Sequence, residues 1–197
     1  MLPGRLSAMP WLFPIIAYLV GSIPFGVLIA KSKGIDITQH GSGNVGATNV
    51  FRVVGKGFGI LCLFLDFLKG FVPVVIAINL LRVQGETPPV PLPFLWGLSD
   101  EISIDRQLAI HTSQVATAMA AILGHNYSLF LRGKGGKGIA TSAGVLVALM
   151  PLVLLVDLPA IVLITMLAAI SKPLVLQDCM HTGAVSRERT PILSHLL

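Results

Sequence analysis

The chain has 197 residues, of which 54% are hydrophobic and only 12% charged, and its mean hydropathy is +0.83. A soluble domain of this length needs a charged surface, so these figures exclude one and indicate a protein that spans lipid. The net charge of +5 is split among loops between apolar runs, which excludes a nucleic-acid partner. The two cysteines, Cys62 and Cys179, have no CxxC or metal-ligand spacing.

The first apolar run covers residues 10–30 and is followed, not preceded, by lysines, Lys31 and Lys33. That is the wrong polarity for a cleaved signal peptide, so an uncleaved helix with its N-terminus outside is expected. The second run, 58–81, contains Asp66 and Lys69. They are three apart on one helix face, and ionisable groups at membrane depth are costly enough to suggest a function. Either a packing ion pair or a substrate contact fits them. A proline-rich stretch at 87–93 then reads as an irregular connector. The third run, 108–131, has His111 and His125 near its ends. His111 reads as structural; His125 reads as a bonded helix-end residue, a substrate contact or a proton carrier. The fourth run, 139–156, is separated by Asp157 and Pro159 from a weaker run, 158–176.

Runs of this length are too long for barrel strands. The expected fold is therefore all-α: a polytopic helical membrane bundle of about five spans, forming a single domain over 1–197. Charge gives the orientation. Segment 31–57 carries Lys31, Lys33, Arg52 and Lys56 against Asp36, and segment 132–138 carries Arg132, Lys134 and Lys137. Segment 82–107 holds Glu86, Asp100, Glu101 and Asp105 against two arginines. Basic loops mark the cytoplasmic side, so 31–57, 132–138 and the tail 177–197 are expected inside.

The chemistry concentrates in the two inner loops. The first reads GSGNVGATN at 41–49, followed by Arg52. Gly41, Gly43 and Gly46 free the backbone for close approach to a ligand, and successive N–H groups there would form an anion cradle. Ser42, Asn44, Thr48 and Asn49 add short polar groups, and Arg52 offers a two-pronged phosphate contact. The second loop, RGKGGKG at 132–138, leads into a helix whose first N–H groups favour an anion. Gly133, Lys134, Gly135, Gly136, Lys137 and Gly138 compose it. Its spacing is not that of a Walker A loop, so ATP hydrolysis is not indicated. No Ser-His-Asp triad, zinc ligand set or HxxxxD pattern appears in the sequence.

These motifs, together with GSIPFG at 21–26, LDFLKG at 65–70 and LGH at 123–125, resemble the bacterial acyl-phosphate:glycerol-3-phosphate acyltransferase family. The resemblance covers residues 17–150. It implies a seven-helix inner-membrane enzyme that transfers a fatty acyl group from acyl phosphate to the 1-hydroxyl of sn-glycerol 3-phosphate. The products are lysophosphatidate and phosphate, in phospholipid synthesis. It implies no cofactor, a surrounding of membrane lipids and functional coupling to an acyl-phosphate-forming enzyme. By position it places Ser42 and Arg52 in the first motif, with Asn44 and His125 as further candidates for the chemistry. It places Gly133–Gly138 in the glycerol-phosphate loop, and Gly41, Gly43, Thr48, Asn49, Asp66 and Lys69 as further substrate-binding candidates. The C-terminal sequence departs from the family's His-Asn-Glu motif. The corresponding expectations are a poor or inactive member, or, outside the family, a transporter or binding protein for a small phosphorylated solute.

Overall fold

A computed structural model describes residues 9–98 and 101–151, which lie in one compact unit, Met1–Pro151. The expected run at 158–176 and the tail at 177–197 fall outside the described residues. Within those residues the chain forms six α-helices joined by loops and short 3-10 turns: α1 (Leu12–Gly21), α2 (Phe25–Lys31), α3 (Ala47–Val53), α4 (Lys56–Leu80), α5 (Gln107–Asn126) and α6 (Ile139–Leu149). The β pairing among the described residues is a lone bridge between Val83 and Ile102.

The first apolar run is not one straight helix. Pro24 lacks an N–H and breaks it between α1 and α2. The carbonyls freed at the break are taken by side chains: Ser128 Oγ donates to Ser22 O, and Lys69 Nζ donates to Ile23 O at 2.8 Å. A break in lipid is tolerable only when its polar groups are satisfied in this way. Residues 12–31 and α4 are each long and apolar enough to cross a membrane. The third run ends as a helix at Asn126, five residues early, because the chain turns through a 3-10 segment (Leu129–Leu131) and left-handed Arg132. In the fourth run α6 ends at Leu149 with Met150 as its C-cap, and residues 152–156 of that run lie outside the described residues.

Small residues set the helix crossings. A β-carbon on Gly21 or Gly124 would strike the backbone of the opposite helix in the α1–α5 pair, and one on Gly70 or Gly144 would do so in the α4–α6 pair. Close backbone approach of this kind suits association in lipid, where apolar side chains gain nothing by leaving solvent. The central core joins Ala17 of α1, Val74 and Val75 of α4, Ala118 and Ala121 of α5, and Val145 and Ala148 of α6. Large apolar side chains point outward: Ile15, Ile16 and Leu19 on α1, Ile60, Leu61 and Phe64 on α4, and Val115 and Met119 on α5. The proline-rich connector is irregular, with 3-10 turns at Pro93–Leu98 and Ile104–Arg106. Buried Asn79 pins it to α4 by donating to Val90 O and accepting from Leu92 N and Trp96 Nε1.

Candidate functional site

Both glycine-rich motifs lie at one end of the bundle. The first is not a simple loop. Asp36 starts it by accepting from the Thr38 N–H and hydroxyl, which hold its carboxyl below the usual carboxylate range. Gly41 and Gly43 then take positive φ, 62° and 68°, a backbone that L side chains resist. From Ala47 the chain is helical, so Thr48, Asn49 and Arg52 belong to α3. Gly59 lets α3 lie directly on α4, because a β-carbon there would collide with Phe51.

Asn49 is the hub of this segment. Its buried Nδ2 lies 3.2, 3.0 and 2.9 Å from the carbonyls of Ile37, His40 and Asn44, and its Oδ1 accepts from Ser42 N. Asn44 Oδ1 in turn accepts from Gly46 N. The N–H groups of Ser42, Gly43 and Gly46 are therefore bonded within the turn, to Asn49 Oδ1, His40 O and Asn44 Oδ1, and do not form the expected anion cradle; Ser42, Thr48 and Arg52 on its rim remain exposed.

The second motif uses its glycines differently from the sequence expectation. The N–H groups of Gly133, Lys134, Gly135 and Gly136 donate to the carbonyls of Ser128, Leu131, Asn126 and His125. Those of Gly135 and Gly136 cap the end of α5, those of Gly133 and Lys134 close the 3-10 turn after it, and none is free to cradle an anion. Close packing explains Gly135, Gly136 and Gly138: a β-carbon would meet His125 O, the His125 ring and Asn126 Oδ1, respectively. The donors left for a ligand are those at the start of α6, where the first turn of a helix has no internal partners. Lys137 stands beside them; Lys134 and Arg132 are exposed on the loop.

Beneath both motifs lies a buried polar network. Lys69 Nζ is 2.9 Å from Asp66 Oδ1, with both side chains 4% exposed. Thr141 Oγ1 on α6 donates to Asp66 O at 3.0 Å and lies 3.1 Å from His125 Nδ1. His125 Nδ1 is also 3.7 Å from Asp66 Oδ1, and Cys62 Sγ approaches Asp66 Oδ2 at 3.7 Å. Asp66 and Lys69 are thus an ion pair, and Asp66 also reaches the cavity above.

That cavity holds about 260 Å³ and brings the two motifs together: Ser42, Asn44, Thr48, Asn49 and Arg52 line one side, and Lys137 and Gly138 the other, with Asp66 and His125 at the base. It shares Ala47, Thr48, Arg52 and Leu63 with a second hollow of about 410 Å³, whose remaining lining is Phe51, Gly59 and Ile60. A polar chamber therefore abuts an apolar trough between α3 and α4. Among the described residues no group of three or more His, Cys, Asp or Glu is placed to hold a metal ion.

The family model for glycerol-3-phosphate acyltransferase matches residues 11–184. The chain belongs to this family. It is 45% identical over 141 residues to the glycerol-3-phosphate acyltransferase of Aquifex aeolicus (strain VF5), covering 72% of this chain and 60% of that protein. It is 45% identical over 142 residues to the enzyme of the same name from Geotalea daltonii (strain DSM 22248 / JCM 15807 / FRC-32), covering 72% and 59%. The chain thus spans about three fifths of the length of these curated relatives. Its fold is similar to the crystal structure of PlsY (YgiH), an integral membrane glycerol 3-phosphate acyltransferase, in its glycerol 3-phosphate form. The TM-score is 0.57 at 42% identity, over 76% of this chain and 62% of that one. The all-α membrane fold expected from the apolar runs is the fold of this family.

The geometry groups most of the sequence candidates. Ser42, Asn44, Thr48, Asn49, Arg52, Asp66, His125, Lys137 and Gly138 meet around one chamber. Outside that chamber, Gly41 packs against Asn49, Gly43 lies in the same turn, Gly135 and Gly136 pack against His125 and Asn126, Lys69 pairs with Asp66, and Gly133 and Lys134 lie on the exposed outer loop. Sequence reasoning missed Thr141, which connects three helices through one hydroxyl, and Asn126, whose buried Oδ1 faces Gly138 without a hydrogen-bond partner. A threonine two residues into an apolar run gives no pattern signal; only the folded contact reveals it.

Proposed function

We propose that this chain transfers a fatty acyl group from acyl phosphate to the 1-hydroxyl of sn-glycerol 3-phosphate, releasing lysophosphatidate and phosphate. The observation that carries this reading is the polar chamber opening onto an apolar trough. An amphipathic acyl donor needs both: a charged recess for its phosphate and a lipid-like channel for its chain. Family membership and the names of the relatives support glycerol 3-phosphate as acceptor. Thr48, Arg52, Lys137 and the first N–H groups of α6 would hold the phosphates. The hydroxyl oxygen attacks the acyl carbonyl carbon, the carbonyl–phosphate C–O bond breaks, and phosphate leaves with the hydroxyl proton. An acyl phosphate is already an activated mixed anhydride, so catalysis reduces to positioning and charge stabilisation. No covalent enzyme intermediate is needed.

The same reading puts the protein in a bacterial inner membrane with both motifs facing the cytoplasm, where an enzyme that forms acyl phosphate would supply the donor. The helix break at Ser22–Pro24 is a feature that a solute carrier would share. Its carbonyls, however, are occupied by Lys69 and Ser128 and do not face a solute. The test is phosphate release by the purified protein from palmitoyl phosphate, with and without glycerol 3-phosphate. Release that depends on glycerol 3-phosphate and yields lysophosphatidate is expected. Glycerol 3-phosphate uptake into vesicles without phosphate release would favour a carrier. Binding alone would mark an inactive family member.

A further inference from the structure

We propose that His125 is a positioning residue: with a proton on Nδ1, bonded to Thr141 and directed at Asp66, its ring is the floor on which the lysine-bearing loop rests. The inference rests on the acyltransferase reading for what the loop holds, but its geometry stands independently.

The hydrogen on Nδ1 follows from counting protons. Thr141 Oγ1 has one hydrogen and two partners, Asp66 O at 3.0 Å and His125 Nδ1 at 3.1 Å. A backbone carbonyl only accepts, so the threonine proton goes to Asp66 O. The second contact then forms only if Nδ1 carries a proton and donates to Thr141. Asp66 Oδ1, 3.7 Å from Nδ1, is an acceptor on the same side and favours the same arrangement. The other nitrogen, Nε2, faces Gly136, where an added β-carbon would land on it. The backbone of the same histidine receives the loop from the other side: Gly136 N donates to His125 O at 3.1 Å, and Gly135 N donates to Asn126 O at 3.1 Å.

His125 is therefore clamped between α4 and α6 on one side and the glycine loop on the other. Nε2 faces the loop at Gly136, on the side of the ring away from Thr141 and Asp66. With Nδ1 bonded to Thr141, the ring nitrogen left to accept a proton is the one that faces the loop backbone. The ring can transmit the position of the Asp66–Lys69 pair to Lys137, which begins one residue beyond Gly136. Loop misplacement of about 1 Å is enough to cost about 100-fold in rate, so the clamp acts on substrate binding and alignment.

Two measurements test this on the full chain in detergent or nanodiscs. The first is histidine ¹⁵N NMR, with His125 assigned by difference against His125→Asn. Proton attachment at Nδ1 is expected, and attachment at Nε2 alone overturns the proposal. This readout holds even if the protein releases no phosphate, an outcome that would count against the acyltransferase reading only. The second is steady-state kinetics with palmitoyl phosphate and glycerol 3-phosphate. His125→Asn keeps a donor near Nδ1 and should raise KM for glycerol 3-phosphate less than about threefold. His125→Gln and Thr141→Val break the clamp and should each raise it more than about tenfold, with Thr141→Ser restoring it. A general base would behave differently: His125→Asn would lower kcat by about 10²–10⁴ with little change in KM, and that result overturns the proposal. Unchanged KM in His125→Gln and Thr141→Val would overturn it too.

Discussion

Lys69 has almost no contact with solvent, and its ammonium is shared by Asp66 Oδ1 at 2.9 Å and the Ile23 carbonyl at 2.8 Å. Removing one partner of a buried ion pair leaves the other charge uncompensated, which costs about 3–5 kcal/mol. Lys69→Met should therefore destabilise the protein by about that amount, while the neutral pair Asp66→Asn/Lys69→Met recovers most of it. Denaturant unfolding in mixed micelles would measure both, and equal stability of the two variants would show that the charge pair is not the cause. Asn49 carries a different load. Asn49→Ala strands the Asn44 carbonyl and the Ser42 N–H, while the Ile37 and His40 carbonyls keep the backbone N–H groups of His40 and Gly43, so the turn at Gly41–Gly46 should loosen at a cost of about 1–3 kcal/mol. Faster hydrogen exchange at Ser42, with α4 still protected, would report this. The sequence made the ion pair legible, because i and i+3 share a helix face. It gave Asn49 only as a ligand candidate, since nothing in GSGNVGATN distinguishes an amide that binds substrate from one that ties its own loop.

The elements meet through glycines, and the sequence shows those glycines without their reasons. Gly57 and Gly144 both lie in helices, yet a β-carbon on Gly57 meets nothing within 4 Å, whereas one on Gly144 runs into the backbone at Phe67 and Phe71. Gly57→Ala should then stabilise the protein by about 0.5–1 kcal/mol through lost chain entropy. Gly144→Ala should destabilise it by about 1–3 kcal/mol, because a rigid backbone cannot yield to an added methyl. Opposite shifts in unfolding midpoint would confirm the distinction, and a gain in both variants would mean that the α4–α6 crossing is looser than described. The apolar runs revealed where α1, α4, α5 and α6 are, since hydropathy is summed over many residues. They overran the end of α5, because Leu129–Leu131 are as apolar as a helix interior while the backbone there turns; of the fourth run, residues 152–156 lie outside the described residues. Helix α3 was hidden for the opposite reason: seven residues inside a polar loop are too few to show a period.

At the scale of the whole molecule, orientation decides which substrates the chamber meets. The two motifs line one cavity and so share one side of the membrane. Their segments carry Lys31, Lys33, Arg52, Lys56, Arg132, Lys134 and Lys137 with only Asp36 opposed, whereas the 82–107 connector is net acidic. Each cation near an anionic cytoplasmic leaflet gains about 1 kcal/mol, so the arrangement with both motifs inside is favoured over its inverse. Single-cysteine labelling in cells tests it. Ser42, Lys134 and Gln84 are exposed, and Cys62 is buried, so a Cys179→Ser background suits the experiment. Ser42→Cys and Lys134→Cys should resist a membrane-impermeant maleimide until the cells are permeabilised, whereas Gln84→Cys should react in intact cells. The mirror-image pattern would invert the protein and deprive it of cytoplasmic acyl phosphate. Labelling of Ser42→Cys and Lys134→Cys from opposite sides would be more damaging, because no single substrate could then touch Arg52 and Lys137 together.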